Sequence, residues 1–282
     1  MKHRSLKHVA AFAAALSGLI VMPVASAADI DAWDGQWHYD LAIYGWLPSI
    51  RSTVTLTLPR EDITLPAGSV NATVHPSNYL SSLKFAAMFL GEARKGDYAV
   101  ITDLNYVDLG GANTKITDVS GPFGRVTLPL NQDVDFGLRA TLWTLGGSYT
   151  GGRGDAGVIN VLAGFRLLDM RSTIDWNFSG PNGILNRSGS ASKTINIWSG
   201  VIGAYGRVNL DSEKRWFIPY YADVGPGSHS TWTSMAYGGV GYRFDWGELV
   251  LAYKNVYYGG SGGQDLQKLN LWGMLIGANF HW

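Results

Sequence analysis

The chain has 282 residues, 22 basic against 22 acidic, no cysteine, 36 glycines, and 11 Trp, 14 Tyr and 10 Phe. The lack of cysteine excludes a disulfide scaffold, thiol catalysis and thiolate metal sites. A balanced charge leaves no basic footprint for nucleic acid, and 46% hydrophobic with 16% charged residues is too apolar for a disordered chain.

Lys2, Arg4 and Lys7 precede an apolar stretch from about Val9 to Val24, and Ala25-Ser26-Ala27 provides small residues for cleavage. Residues 1–27 therefore read as a secretory signal peptide and 28–282 as a single barrel domain. Losing three basic and no acidic residues leaves that domain a net charge of −3, which points to no polyanionic partner. Beyond Ala27 no uncharged apolar run approaches the roughly 18 residues of a membrane-spanning helix.

Segments that alternate apolar with small or polar residues take its place, the signature of β-strands. They fall near 37–47, 50–58, 62–72, 84–95, 97–109, 132–146, 156–170, 194–209, 215–225, 231–245, 248–258 and 267–282. Tight turns are expected at Lys95-Gly96-Asp97, Gly151-Gly152-Arg153-Gly154, Asp211-Ser212-Glu213-Lys214 and Asp245-Trp246-Gly247, with long connections around 110–131 and 171–193. Short and long connections alternate, and the strand count is even. Both features predict an all-β fold, a transmembrane antiparallel up-and-down barrel of about 12 strands. Pro66 and Gly68 interrupt the segment 62–72, so ten strands is the fallback.

The two faces separate a soluble sandwich from a membrane barrel, because only the barrel turns its apolar face outward. Uncharged rows run Trp37, Tyr39, Leu41, Ile43; Phe85, Ala87, Phe89, Ala93; Tyr98, Val100, Leu104, Tyr106; Val134, Phe136, Leu138, Leu142; Ile159, Val161, Phe165, Leu167; Ile218, Tyr220, Val224; Val240, Tyr242, Phe244; and Leu249, Leu251, Tyr253. The opposite rows hold Asp40, Lys84, Glu92, Arg94, Asp103, Arg139, Arg166, Asp223, Arg243 and Lys254, predicted to form a charge network in the lumen. Arg207 departs from the pattern by sharing parity with Ile195, Ile197 and Tyr205. Trp37, Tyr98, Trp216, Tyr242, Phe244, Phe280 and Trp282 toward one end, and Tyr106, Trp176, Trp232, Tyr257 and Trp272 toward the other, are placed as interfacial girdles.

The tail LWGMLIGANFHW carries Trp272, Met274, Ile276, Ala278, Phe280 and Trp282 on one face. It resembles the terminal strand that outer-membrane proteins present to their assembly machinery. YGWLPSI (Tyr44 to Ile50), PSNYLSSLKFAAMFLGEARKGDYAVITDLNYVDL (Pro76 to Leu109) and YGGVGYRF (Tyr237 to Phe244) resemble a porin-like family of Gram-negative outer-membrane β-barrel proteins. The resemblance implies the location and the fold, with outer-membrane lipid, lipopolysaccharide and the assembly machinery as partners. It implies no substrate.

Within the lumen the expected layers are Asp40, Glu92, Arg94 and Arg243 low, Asp103, Asp223 and Lys254 near the middle, and Lys84, Arg139 and Arg166 high. Such a set serves either a narrow channel for small polar solutes or a lumen closed by salt bridges. The loops 110–131 and 172–193 and the segment His75 to Leu83, where Ser77 can cap a helical turn, are candidates to fold inward.

His75-Pro76-Ser77-Asn78 has an H-x-S-N spacing similar to that of outer-membrane phospholipases and lipid A deacylases, which makes a lipid hydrolase a third reading. Pro76 in the strand that must hold the pair, and Tyr79 where those families place a small residue, oppose it. The expectation is no enzyme. No cofactor or metal site is expected either: His38, His229 and His281 are scattered, Asp118, Asp133 and Asp135 are read as solvated loop acids, and no helix follows Gly151 to Gly154 to make a phosphate site.

Overall fold

In hydrocarbon each backbone N–H and C=O of a strand needs a partner, so strands of alternating polarity are stable there only when the sheet closes on itself. The computed structural model describes residues 32–56, 68–110, 134–178, 187–260 and 266–282, and within them the sheet closes. In chain order the strands are β1 (Trp37–Trp46), β2 (Ser49–Leu56), β3 (Gly68–Val74), β4 (Leu83–Lys95), β5 (Tyr98–Leu109), β6 (Val134–Gly154), β7 (Gly157–Phe178), β8 (Arg187–Asn209), β9 (Trp216–Gly227), β10 (Thr231–Phe244), β11 (Gly247–Gly260) and β12 (Leu266–His281). A short helix α1 (Pro76–Tyr79) and a 3₁₀ turn (Leu80–Ser82) lie between β3 and β4. The signal-peptide region, most of the segment 62–72, and Asp118 and Asp133 fall outside the described residues.

All pairings are antiparallel. β1, β4 and then β5 through β12 form a ring of ten strands, closed by β1 on β12 from Asp40–His281 to Trp46–Leu275. The two other strands stand apart: β2 extends β1 along the upper end of β12, from Trp272–Ser49 to Leu266–Val54, and β3 pairs back on β2. Eight and seven residues long, they form a hairpin at the rim and do not span. Leu47-Pro48 separates β1 from β2, where the proline supplies no N–H to a ladder.

The short connections sit at one end. Gly96-Asp97 makes a two-residue turn with Gly96 at φ +59°, a conformation glycine adopts without steric cost. The connection expected at Gly151 to Gly154 lies at Asp155-Ala156 instead, because β6 continues through Gly154 with a register shift between Thr150 and Gly152 that accommodates the glycines. β6, β7 and β8 are 21, 22 and 23 residues long. About ten residues cross an apolar band, so these three strands overshoot it and extend beyond the opposite end.

Exposure follows the alternation in the sense opposite to that of a soluble protein. Tyr98, Ile202 and Ile276 are 70%, 66% and 65% exposed, while Arg166, Glu248 and Lys254 are 0%, 1% and 1% exposed. Aromatic pairs ring the outer wall: Trp37–Tyr39, Tyr98–Tyr149, Trp216–Tyr242 and Tyr39–Trp282 at the short-turn end, and Phe85–Tyr106, Phe165–Trp198 and Trp232–Tyr257 further up. Two such belts on the outer wall are the arrangement of interfacial girdles.

On β6 the faces are reversed from expectation. Leu138 and Leu142 are buried inside and Arg139 points out, paired with Asp108 at 3.2 Å. Arg139 lies in the ladder row of Asp108 and Phe85, at the upper aromatic belt, where headgroups and not hydrocarbon surround an outward charge, and the interior there is apolar. The Arg207 exception has the same origin: Ile195, Ile197, Tyr205 and Arg207 belong to the inward row of β8, and Trp198 and Ile202 face lipid.

The outward row generates a test. Ile202→Arg, in the middle of the band, is expected to lower the unfolding free energy in lipid by about 2 to 4 kcal/mol. Arg139→Leu should change it by no more than about 0.5 kcal/mol, as for an exposed surface pair. Urea titration in vesicles reads both.

Candidate functional site

Inward-facing residues fill the lumen in two zones. The lower zone is polar. At its floor Trp33 lies under Arg94, whose guanidinium is 5.3 Å from the indole centre, and donates its ring N–H to Thr150 at 3.2 Å. Arg94 donates to Glu92 at 2.7 Å, to Thr150 at 2.7 Å and to Asn160 at 3.1 Å. The Tyr205 hydroxyl donates to the other oxygen of Glu92 at 2.9 Å. Beside this group Glu248 accepts from Arg207 at 2.5 Å and from Arg243 at 3.1 Å, and the His281 ring lies between Asp40 and Glu248. Below the barrel, hydrogen bonds from His38 and from the Gln36 amide hold the exposed Asp34 carboxyl below its ordinary range.

Two ion pairs lie inside the ring at mid-height. Arg166 of β7 engages both oxygens of Asp223 on β9, with its Nε on Thr144 at 3.0 Å and Nη1 on Thr233 at 3.3 Å. Tyr221 and the Met235 amide donate to the same carboxylate at 2.5 and 3.1 Å. Lys254 of β11 reaches Asp103 of β5 at 2.8 Å, with the Tyr44 hydroxyl 3.1 Å away, and its ammonium stands 5.0 Å from the centre of the Trp46 ring. Burying a charge is unfavourable unless partners surround it, and both pairs have such a shell.

Above this level the interior turns apolar. A cavity of about 130 Å³ lies among Trp46, Met88, Leu109, Leu142, Leu168 and Leu271, with Tyr44 and Asn105 also in its lining. Tyr79, carried inward by α1 and the 3₁₀ turn, is 6% exposed, packs with Leu109 and Leu138 and donates its hydroxyl to the Pro48 carbonyl at 2.8 Å. It caps the cavity.

Of the ten residues expected in the lumen, Asp40, Glu92, Arg94, Asp103, Arg166, Asp223, Arg243 and Lys254 face the interior. Arg139 does not, as shown above. Lys84 lies in a bulge at the top of β4, exposed, with its ammonium over Gly110, because the register shift between Leu83 and Phe85 takes it out of the alternation. Arg166 sits level with Asp223 and not in a higher layer. Sequence reasoning missed Glu248, Arg207, His281, Tyr44 and Tyr205. Parity with Lys254 was the available signal for Glu248.

The H-x-S-N segment is not a strand. His75 precedes α1, Ser77 is exposed within it, and the His75 ring meets Ser49 Oγ at 3.0 Å, so the shared strand face that would align imidazole with Ser77 does not form.

This closed ten-strand ring matches the solved outer membrane protease OmpT from Escherichia coli with a TM-score of 0.50 at 8% identity, covering 88% of this chain and 97% of that one. The fold is that of an outer-membrane β-barrel. At 8% identity the likeness covers the fold and not the proteolysis in that protein's name. The translocator domain of the autotransporter NalP from Neisseria meningitidis (TM-score 0.39, 15% identity, 97% and 95% coverage) is a more distant match. So is the attachment invasion locus protein Ail of Yersinia pestis (0.32, 14%, 87% and 99%). No family model and no curated protein matches the sequence.

The mid-height pairs generate a stability test. Arg166→Met leaves Asp223 buried without its cation and is expected to destabilise the refolded barrel by roughly 3 to 5 kcal/mol. Arg166→Met with Asp223→Leu should recover most of that loss, and chemical unfolding in lipid measures the difference.

Proposed function

We propose that the protein is a non-conducting β-barrel of the Gram-negative outer membrane, sealed by ion pairs through its lower and middle lumen and holding a small apolar guest in the cavity above. One observation carries this reading. Arg166, Asp223, Lys254 and Asp103 all lie inside the ring at 0%, 5%, 1% and 7% exposure, with carboxylates, hydroxyls and amides on their polar atoms. A water-filled pathway for small polar solutes would leave such groups wet.

Of the two lumen readings that the sequence allows, this packing supports the closed one. Ten strands also enclose little more than the eight-stranded barrel whose side chains just fill its interior. The hydrolase reading has less support, since Ser77 and His75 are not aligned on a strand. What the closed barrel offers a ligand is the apolar space under Tyr79, a concave site lined by hydrophobic and aromatic side chains with few polar groups.

Purified protein in planar bilayers is expected to give no unitary conductance steps. Reproducible single-channel steps from a homogeneous preparation would overturn the sealed-lumen reading.

A further inference from the structure

The wall of the barrel is not continuous on all sides of the cavity. β1 and β4 pair from Trp37–Lys95 to Ile43–Phe89 and no further. Yet β4 continues beside β5 up to Leu83–Leu109, and β1 continues beside β12 up to Trp46–Leu275. Between Met88 and Leu83 the ladder of β4 therefore has β5 on one side and no paired strand on the other among the described residues. Above the break at Leu47-Pro48, β2 continues along β12 and its other edge is taken by β3, which makes no ladder with β4. The Trp46 amide, turned toward β4, meets the Met88 sulfur at 3.2 Å, a weak acceptor in place of a ladder carbonyl.

The cavity reaches this seam. Its lining includes Trp46, Leu47 and Pro48 on one lip and Ala86 and Met88 on the other, together with Tyr106, which faces lipid. On the lipid side Tyr106 packs on Phe85 at 6.0 Å, and beyond the other lip, on the neighbouring strands β2 and β12, Arg51 stands 5.5 Å over Trp272. Aromatic rings with a cation above them mark the level where acyl chains meet headgroups.

On the sealed-barrel reading above, from which this inference starts, the cavity cannot be reached from below. We propose that the β1–β4 seam is a lateral port, and that the guest is the acyl chain of an outer-leaflet lipid that enters the cavity sideways from the bilayer. The chemistry fits. The lining is apolar, the port is continuous with the lipid-facing wall, and Arg51 is exposed at headgroup level, where a lipid phosphate lies. The size fits a chain segment: at about 130 Å³ the cavity is close to an engineered apolar cavity of roughly 150 Å³ that takes up benzene, room for a few methylene groups and not for a whole lipid.

The methionines are placed to test it. Met88 and Met170 line the cavity, Met235 is buried away from it, and Met274 faces lipid, 53% exposed. Full-length mature protein, deuterated except for methionine methyl groups, is placed in nanodiscs of protonated dimyristoylphosphatidylcholine. Nuclear Overhauser contacts from acyl-chain protons are expected at Met274, Met88 and Met170 and not at Met235. Ala140→Phe, which fills the cavity from the side away from the seam, should abolish the contacts at Met170 and leave those at Met274; Ala86→Leu is the second variant should the first not fold. Contacts confined to Met274 would overturn the proposal, as would cavity contacts that arise only on adding free fatty acid. Conductance steps with cavity contacts intact would remove the sealed-lumen reading and leave the port standing.

Discussion

Hydrocarbon offers no hydrogen-bond partner to a peptide group and no solvation to a charge, and each main feature of this barrel answers that deficit. Ring closure of β1 on β12 satisfies the backbone. Within the band, large apolar side chains such as Ile202 and Ile276 take the outer positions, and Arg166, Lys254 and Glu248 take the inner ones. The inward ion pairs need not be a net source of stability, since a buried pair is often no better than an apolar pair of the same volume. Their placement follows from the alternative, an outward basic residue that costs about 2 to 4 kcal/mol at the midplane.

That same deficit divides the interior. Charged groups, once turned inward, must find one another, and they do so in the lower and middle layers, from Glu92 and Arg94 up to Asp223 and Lys254. Above them, Leu138, Leu142, Leu168 and Ile197 are buried with no charge to solvate, and Tyr79 folds over them. The result is a plug with a greasy recess on its outer side. The pairing break above Ile43–Phe89 falls at the level of this recess.

Much of this was legible in the alternation of residues. Strand positions, the even count and the outward rows of β1, β4, β5 and β7 need only period two and the rule that lipid refuses charge. β6 broke that logic because the rule holds only within hydrocarbon: Arg139 stands at its upper edge, level with Phe85, and Leu138 and Leu142 face an apolar interior that looks in sequence like a lipid face. Tyr44 and Tyr205 were hidden by chemistry, since a tyrosine at a strand end serves equally as a girdle residue or as an inward hydroxyl. Glu248 was hidden by its neighbour Gly247, which marks a turn and draws attention from the carboxylate's inward parity. The hairpin β2–β3 read as a spanning pair because a seven-residue strand at a rim has the same alternation as a strand in a membrane.

The central claim is the direction in which each row of side chains looks, and β6 tests it most directly because its parity is the least obvious. The chain has no cysteine, so single cysteines at successive positions from 138 to 145 each carry one nitroxide. In bilayers the account predicts that labels at 143 and 145 collide with lipid-dissolved oxygen and the label at 139 with a water-soluble nickel chelate. Labels at 138, 140, 142 and 144 should be shielded from both. Oxygen collisions at 138 and 142 with shielding at 143 and 145 would contradict it.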